Sequence, residues 1–247
     1  MDRLIYTAVS GMNASMNRER VIASNMANAS TIGFRAEILQ ASPVTVDGEQ
    51  LDVRALSGSG VTGASMKAGA VTQTGDPLDV ALVGDTMLAV QASDGQESYT
   101  RRGDLSVSAS GVLQNGDGLP VLGGGGPISV PPDTVVTIGP DGSVLAQDPA
   151  TPDQPPQTID RLRLVSSTGT QIAKDLNGQF RVVGGGALPL DETAKVIPGA
   201  LEQSNVNASE VLVDMIAAQR LFDMRTKLVE TARQLDEGSA RLMRIDS

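Results

Sequence analysis

The positions of glycine and proline constrain the fold of this chain more than any other feature. All 13 prolines lie in the range 43–198, and only four of the 27 glycines lie outside it. Both residues interrupt helices, because proline lacks a backbone N–H and glycine is conformationally free. The sequence therefore predicts a long helix at each end and a middle region of strands and turns.

The middle region contains short apolar or alternating runs separated by glycines that neighbour Asp or Asn, a combination typical of tight turns. Such turns are expected near residues 84, 94, 116, 141 and 177. We expect strands at residues 78–83, 87–91, 105–107, 135–138, 162–165 and 180–183. Strands do not alternate with helices, which argues against a doubly wound nucleotide-binding fold. The predicted class is a mainly β body with long terminal helices.

Each terminal helix carries an apolar stripe. The first helix is predicted over about residues 3–28, with its stripe at Ile5, Val9, Met12 and Met16. The second is predicted over residues 209–243, and Asn207 stands where it can cap it. Its leucines recur every seven residues, and the further apolar residues add to the same surface: Leu212, Met215, Ile216, Leu221, Phe222, Leu228, Leu235 and Leu242.

A stripe of this length cannot order a helix alone. Burying four leucines contributes roughly 6–12 kcal/mol gross, whereas ordering roughly 35 residues costs ~1–2 kcal/mol each. The stripe therefore needs a partner. Periodicity leaves two partners open: the opposite terminus by itself, or that terminus together with neighbouring subunits.

Composition excludes several functional classes. The chain has no His and no Cys, which rules out His- or Cys-based nucleophiles and metal sites, and disulfides. A net charge of −10 is unfavourable for nucleic-acid binding. No apolar run approaches the ~20 residues of a membrane span, and the first residues lack the continuous apolar region of a cleaved signal peptide.

Three further groups of residues could indicate a binding or catalytic site. The glycines at 123–126 lack the P-loop pattern and are expected to form an ordinary loop. Asp76, Asp79 and Asp85 could imitate a hydrolase or cation site, but turn chemistry explains them more simply. Arg101 and Arg102 are expected at a solvated strand end, with contact to an acidic neighbour as the alternative. We expect no catalytic, cofactor or metal site, and no enzyme activity.

A resemblance to bacterial flagellar rod and hook proteins is carried by blocks spread over nearly the whole chain. Residues 23–35 resemble the family signature SNN-x-AN-x-x-T-x-GF-K/R, which includes Asn25, Asn28, Gly33 and Phe34. The blocks at 74–82, 99–103, 126–131, 199–207 and 215–222 follow in the family's order. The opening residues 1–8 and the length look most like the proximal rod subunit. The chain departs from the family pattern in two places, where smaller apolar residues replace aromatic ones: at Met87-Leu88 and at Leu105.

The resemblance implies a structural subunit of the basal-body drive shaft, with terminal helices that pair as a coiled coil and support self-assembly for motility. It implies four regions: residues 1–35 with the first helix, 36–66 as an extended connection, 67–198 as the β body and 199–247 with the second helix. The assembly interface would comprise the stripe residues above together with Asn25, Asn28, Gly33 and Phe34.

The implied partners are further copies, other rod subunits and the flagellar type III export apparatus, without nucleic acid or membrane insertion. The implied location is the rod in the periplasmic space, reached without a cleaved signal peptide. A distal rod or hook-type subunit is the alternative within the family. Outside it, the alternatives are a secreted β-rich binding module with oligomerising helices and a hydrolase that uses carboxylates alone.

Overall fold

The computed structural model describes residues 2–45, 55–175 and 177–245, with side chains for 9–39, 63–175, 177–231, 233, 234 and 238. The side chains of Ile5, Leu235 and Leu242 lie outside this set. The chain divides into two compact units. The first comprises Met1–Ala27, Glu37–Thr62 and Asn207–Ser247, and the second comprises Asn28–Ala36 and Gly63–Val206.

The first unit contains a helix from each end of the chain. Its elements are α1 (Asp2–Ala27), β1 (Glu37–Thr45), β2 (Ala55–Ala64) and α2 (Ala208–Ile245). β1 pairs with β2, and α1 contacts both α2 and β1. The two predicted helices are thus confirmed to within one or two residues at their ends. Asn207 caps α2 as expected, because its Oδ1 accepts the N–H groups of Ser209 at 3.1 Å and Glu210 at 3.3 Å.

The second unit is built of short strands. They are β3 (Val71–Gln73), β4 (Val80–Leu82), β5 (Thr86–Gln91), β6 (Glu97–Thr100), β7 (Leu105–Val107), β8 (Leu113–Asn115), β9 (Val135–Ile138), β10 (Ser143–Gln147), β11 (Gln157–Arg161), β12 (Leu164–Ser166), β13 (Ile172–Lys174), β14 (Phe180–Val182), β15 (Val196–Pro198) and β16 (Ala200–Glu202). All six predicted strands are present, and β7 and β9 have the expected ends. The predicted turns are confirmed by positive φ at Gly84, Gly95, Gly118, Gly142 and Gly178.

These strands form one five-stranded sheet with the order β12-β5-β6-β14-β13 and one three-stranded sheet with the order β11-β10-β9. The pairs β15-β4, β16-β3 and β7-β8 complete the unit. In β10 buried and half-buried residues alternate, as expected where one face of a strand meets the core. The β16-β3 pair joins the last strand of this unit to one near its start.

The core of the second unit is mainly aliphatic. Val80, Leu88, Leu113 and Val144 are fully buried in its larger cluster, and Met87 and Tyr99 are buried in a second one. The family's aromatic positions that are aliphatic here, Met87-Leu88 and Leu105, therefore still fill the core. None of the helices among the described residues is long and apolar enough to cross a membrane.

Candidate functional site

α1 and α2 meet where α1 has small side chains. The Arg225 guanidinium donates hydrogen bonds to the carbonyl oxygen of Gly11 and to Oγ of Ser15, which is 3% exposed. Gly11 and Ser15 are four residues apart, so they lie on one face of α1. Small residues at this spacing are the sequence signal for a close helix contact, but Arg225 itself was not among the predicted interface residues.

α2 has a second apolar face that this contact does not cover. We define the outer face of α2 as Leu212, Val213, Ile216, Met224 and Leu228, which are 44%, 67%, 50%, 57% and 65% exposed. At about 100° per residue, Leu212, Val213, Ile216 and Met224 lie on the side of the helix away from the buried Ala218, and Leu228 lies at the edge of this face, about 80° from Ala218. The predicted interface residues Met215, Leu221 and Phe222 are half-buried and lie outside this face.

The stripe predicted for α1 is likewise only partly covered. Val9 is 39% exposed and Met16 is 54% exposed, whereas Met12 is half-buried. We call Val9, Met12 and Met16 the outer stripe of α1. The outer stripe lies roughly 100° around the helix from Ser15, which marks the contact with α2. The outer stripe and the α2 contact are therefore different surfaces of α1.

The signature residues near the end of α1 hold the backbone in place. In the first unit, Asn25 donates from Nδ2 to the carbonyl of Glu37 at 3.1 Å, and its Oδ1 accepts the N–H of Glu37 at 2.8 Å. Both backbone polar groups of the first residue of β1 are thereby bonded to one side chain. In the second unit, Asn28 Oδ1 accepts the hydroxyl of Thr31 at 3.1 Å within the turn that follows α1.

Gly33 and Phe34 have separate structural roles. Gly33 has φ +66° and donates its N–H to the Glu202 carbonyl at 2.7 Å. A Cβ at Gly33 would lie 2.5 Å from the carbonyl carbon and oxygen of Arg101, so the position requires glycine. The Lys174 ammonium lies 3.4 Å from the centroid of the Phe34 ring, which is a cation–π contact.

A buried ion triad, formed by Arg35, Arg101 and Glu202, lies beside Gly33. Glu202 Oε1 is 2.8 Å from Arg35 Nη2, and Glu202 Oε2 accepts from Arg101 Nε at 2.7 Å. The three side chains are at most 2% exposed. The expectation of a solvated strand end is therefore wrong for Arg101, because a buried carboxylate neutralises it. The alternative, an acidic neighbour, is correct.

Backbone groups complete the triad. The Arg101 guanidinium donates to the carbonyls of Leu82, Gly84 and Thr86 at 2.6–2.7 Å, Arg35 donates to the Lys67 carbonyl, and Glu202 Oε1 accepts the Gly69 N–H at 2.7 Å. Burial, and next the nearby Arg101 charge, lower the pKa of the Arg35 guanidinium despite Glu202. Residue types alone gave no signal for this site, since Arg and Glu occur far more often on surfaces.

Asn205 provides another set of backbone contacts in the second unit. Its Oδ1 accepts the Ala36 N–H at 2.7 Å, and its Nδ2 donates to the carbonyls of Ser65 at 2.9 Å and Lys67 at 2.8 Å. One amide side chain thereby links two chain segments that are more than a hundred residues from it in sequence. Asn205 belongs to the block at 199–207, but it was not predicted as a site residue.

The other candidate groups serve turns. Asp76 Oδ1 accepts the N–H of Leu78 at 2.9 Å, which is the turn chemistry expected of it. In the glycine loop at 123–126, the Gly124 N–H is donated to Asp160 at 3.1 Å, and this carboxylate would repel a phosphate. Arg102 pairs with Asp104 and Asp117, so it also has acidic neighbours.

Three family models match separate parts of the chain. Residues 5–35 match the model described as "Flagella basal body rod protein", and residues 81–146 match the "Flagellar hook protein FlgE/F/G D1 domain". Residues 197–242 match the "Flagellar basal body rod FlgEFG protein C-terminal". Arg35, Arg101 and Glu202 each lie in a different one of these parts.

Full-length relatives give the same result. The chain is 40% identical over 247 residues to the flagellar basal-body rod protein FlgF of Salmonella typhimurium, with 98% of this chain and 97% of that protein covered. It is 31% identical to FlgF of Caulobacter vibrioides, with 97% of both chains covered. It is 30% identical to the flagellar basal-body rod protein FlgG of Bacillus subtilis, with 99% of this chain and 100% of that protein covered.

Proposed function

Because the chain belongs to the flagellar basal-body rod proteins and is of the proximal-rod type, we propose that α1 and α2 pair as a coiled coil and join it to neighbouring subunits. The chain is a structural subunit of the rod of the flagellar basal body, and it is not an enzyme. Because the chain belongs to this family, the two alternatives from outside it, a secreted binding module and a carboxylate hydrolase, are no longer needed.

The observation that carries the proposal is the exposed outer face of α2. Its five apolar side chains are between 44% and 67% exposed, although α2 already contacts α1. Removing them from water would contribute roughly 4–8 kcal/mol gross, about half of the value for full burial of five such side chains. A group of exposed apolar side chains on one helix is typical of protein–protein contact sites.

The charged residues that lie among those of the outer face do not oppose such packing. Arg220 and Asp223 are three residues apart on α2, as are Lys227 and Glu230, and all four are exposed. Residues at this spacing are neighbours on a helix surface, so their opposite charges offset one another. Like-charge repulsion between neighbouring copies of this surface is thereby reduced.

The outer stripe of α1 supports assembly through both helices. Since Val9 and Met16 are exposed on a different side from the Arg225 contact, a second helix can cover them without separating α1 from α2. The assembly interface in this proposal comprises the sixteen residues named from the sequence together with Val213 and Met224 of the outer face, with Asn25, Asn28, Gly33 and Phe34 acting through backbone order. Many side-by-side contacts of this kind would transmit torque.

The same proposal includes the route of export, the location of the chain and the role of each of its regions. We infer export through the flagellar type III apparatus without a cleaved signal peptide, and a position in the periplasmic space. Residues 1–35 and 199–247 would serve assembly, residues 67–198 would form the β body, and residues 36–66 would connect the two. A chain without cysteine forms no disulfide that would hinder threading in an unfolded state.

The proposal is tested by placing a charge on the outer face. Leu228→Asp is expected to abolish incorporation into basal bodies and motility, because burying an unpaired carboxylate is strongly unfavourable. Since Leu228 is 65% exposed, the free energy of unfolding of the isolated chain should change by less than about 0.5 kcal/mol. The matched control is Thr226→Asp, which adds the same charge at an exposed position outside the outer face.

Three measurements separate assembly from export and folding. Immunoblots of purified basal bodies report incorporation, blots of the periplasmic fraction report export, and urea denaturation reports folding. The expected result is an exported, folded Leu228→Asp chain that is absent from basal bodies, with Thr226→Asp at the parental level. Equal incorporation of the two variants would contradict the proposed interface.

A further inference from the structure

We propose that Glu202 couples the order of residues 28–36 to that of β16, because one carboxylate forms ion pairs with both Arg35 and Arg101. This coupling would make a segment near the start of the chain depend on a residue near its end. It does not rest on the assembly proposal, since it concerns the isolated chain.

The charge balance of the triad is the first argument. Two guanidinium groups and one carboxylate are buried together, and the ion pairs described for both arginines are made with Glu202. Removing one partner of a buried ion pair is far more destabilising than replacing the whole pair, because a charge then stays in the interior without compensation. Without Glu202, two cations would face each other in the interior.

The backbone contacts of Glu202 are the second argument. Its carbonyl accepts the Gly33 N–H, its side chain accepts the Gly69 N–H at 2.7 Å, and the N–H of Gln203 is donated to Ala70 at 2.8 Å. Gly33, Arg35, Gly69 and Arg101 are thus all joined to Glu202, and Ala70 is joined to the residue that follows it. Glu202 follows Gly69 by 133 residues and Arg101 by 101 residues, so these contacts form only when distant parts of the chain meet.

The weaker backbone support of the Arg35 side chain is the third argument, because its guanidinium donates to a single carbonyl, that of Lys67. Arg35 Nε is buried and has no hydrogen-bond partner within the described part of the chain. The low pKa of Arg35, caused mainly by burial, agrees with a charge held at a cost in solvation. Arg101, in contrast, is also held by three carbonyls. Segment 28–36 is therefore the part that should lose order first when Glu202 is neutralised.

The proposal predicts an unusual mutational pattern. Glu202→Gln keeps the shape of the side chain but leaves two buried cations, whereas Arg35→Met leaves a balanced pair of Arg101 and Glu202. The double variant Arg35→Met/Glu202→Gln leaves a single cation that three carbonyls still hold. Adding Arg35→Met to Glu202→Gln should therefore restore part of the lost stability. If the two substitutions only removed contacts independently, their losses of stability would add instead.

Hydrogen exchange on the full-length chain provides the test. In Glu202→Gln, the amides of Gly33 and Ala36 should exchange at least about tenfold faster, while those of β9–β11 stay unchanged. Glu97→Gln is the matched control, because Glu97 pairs with Arg163 at 3.2 Å in a half-exposed position. This control should leave all of these amides at the parental rate.

The double variant keeps the test decisive if Glu202→Gln unfolds the chain. Its urea midpoint should then lie above that of Glu202→Gln, and its Gly33 and Ala36 amides should exchange more slowly. The proposal is overturned if Glu202→Gln behaves like Glu97→Gln. It is equally overturned if the double variant is as unstable as, or less stable than, Glu202→Gln.

Discussion

At the scale of single residues, close approach of backbone to backbone decides which positions tolerate change. Gly33 lies beside the Arg101 backbone with φ +66° and donates to Glu202. Two penalties therefore act on any side chain there: the left-handed conformation and the collision. Only the first of them is common to the many other positive-φ glycines of the second unit.

Gly33→Ala should accordingly destabilise the chain by more than about 2 kcal/mol, since the left-handed conformation alone costs an alanine ~1–2 kcal/mol. The matched control is Gly169→Ala, at φ +78° with no atom within 4 Å of its Cβ position, which should show the conformational penalty alone. Urea denaturation of both variants measures the difference. Equal free energies of unfolding would refute the close approach of Gly33 to Arg101.

At the scale of elements, α2 has two different apolar surfaces on one helix. The side that carries Ala218 and Arg225 is turned inward, and the outer face is exposed. The leucine repeat does not follow either surface throughout: Leu221 is half-buried, whereas Leu228 is 65% exposed. A repeat of seven drifts by ~20° per heptad on a straight helix, so Leu228 lies slightly farther than Leu221 from the side that carries Ala218.

The start of α2 is expected to depend on its cap. Asn207→Ala removes the acceptor for the N–H groups of Ser209 and Glu210, so the first turn should fray at a cost of ~1 kcal/mol. Faster amide exchange at these two residues is the readout. Asn207→Asp is the control, because its carboxylate keeps the acceptor and should preserve protection. Unchanged exchange in Asn207→Ala would show that the cap is not needed.

At the scale of the whole molecule, each compact unit combines segments that are distant in sequence. The first contains both ends of the chain, and the second combines residues 28–36 with 63–206. Neither unit can therefore be completed before the C-terminal part of the chain is present. The chain has no cysteine, so introduced thiols report on the contacts of the first unit without interference.

Two pairs of introduced cysteines distinguish contacts within a chain from contacts between chains. Ser15→Cys/Arg225→Cys should join α1 to α2 through a short thiol cross-linker in dilute monomer, because these residues are in contact. Val9→Cys/Leu228→Cys should form disulfide-linked dimers in isolated basal bodies and not in dilute monomer, because both positions are exposed. Electrophoresis separates the products by mass. Abundant dimers of the second pair in dilute monomer, or none in basal bodies, would argue against the proposed interface.

Much of the architecture could be predicted because it depends on local rules. The absence of helix breakers predicted both helices, the Asn207 side chain predicted the start of α2, and Asp-Gly or Asn-Gly neighbours predicted several turns. Strands such as β7 and β9 were evident from apolar runs. β3, β15 and β16 were not, since pairing with strands distant in sequence, and not a local pattern, defines them.

What the sequence determined alone is thus the order of helix, β-rich body and helix, the family to which the chain belongs, and the apolar stripes available for contact. Tertiary structure decided which side of α2 stays exposed, that Gly11 and Ser15 receive Arg225, and that Arg101 is buried against Glu202. The physical reason is distance along the chain. Periodicity and turn chemistry act over a few residues, whereas the burial of a charge depends on a partner that the fold brings from 101 residues away.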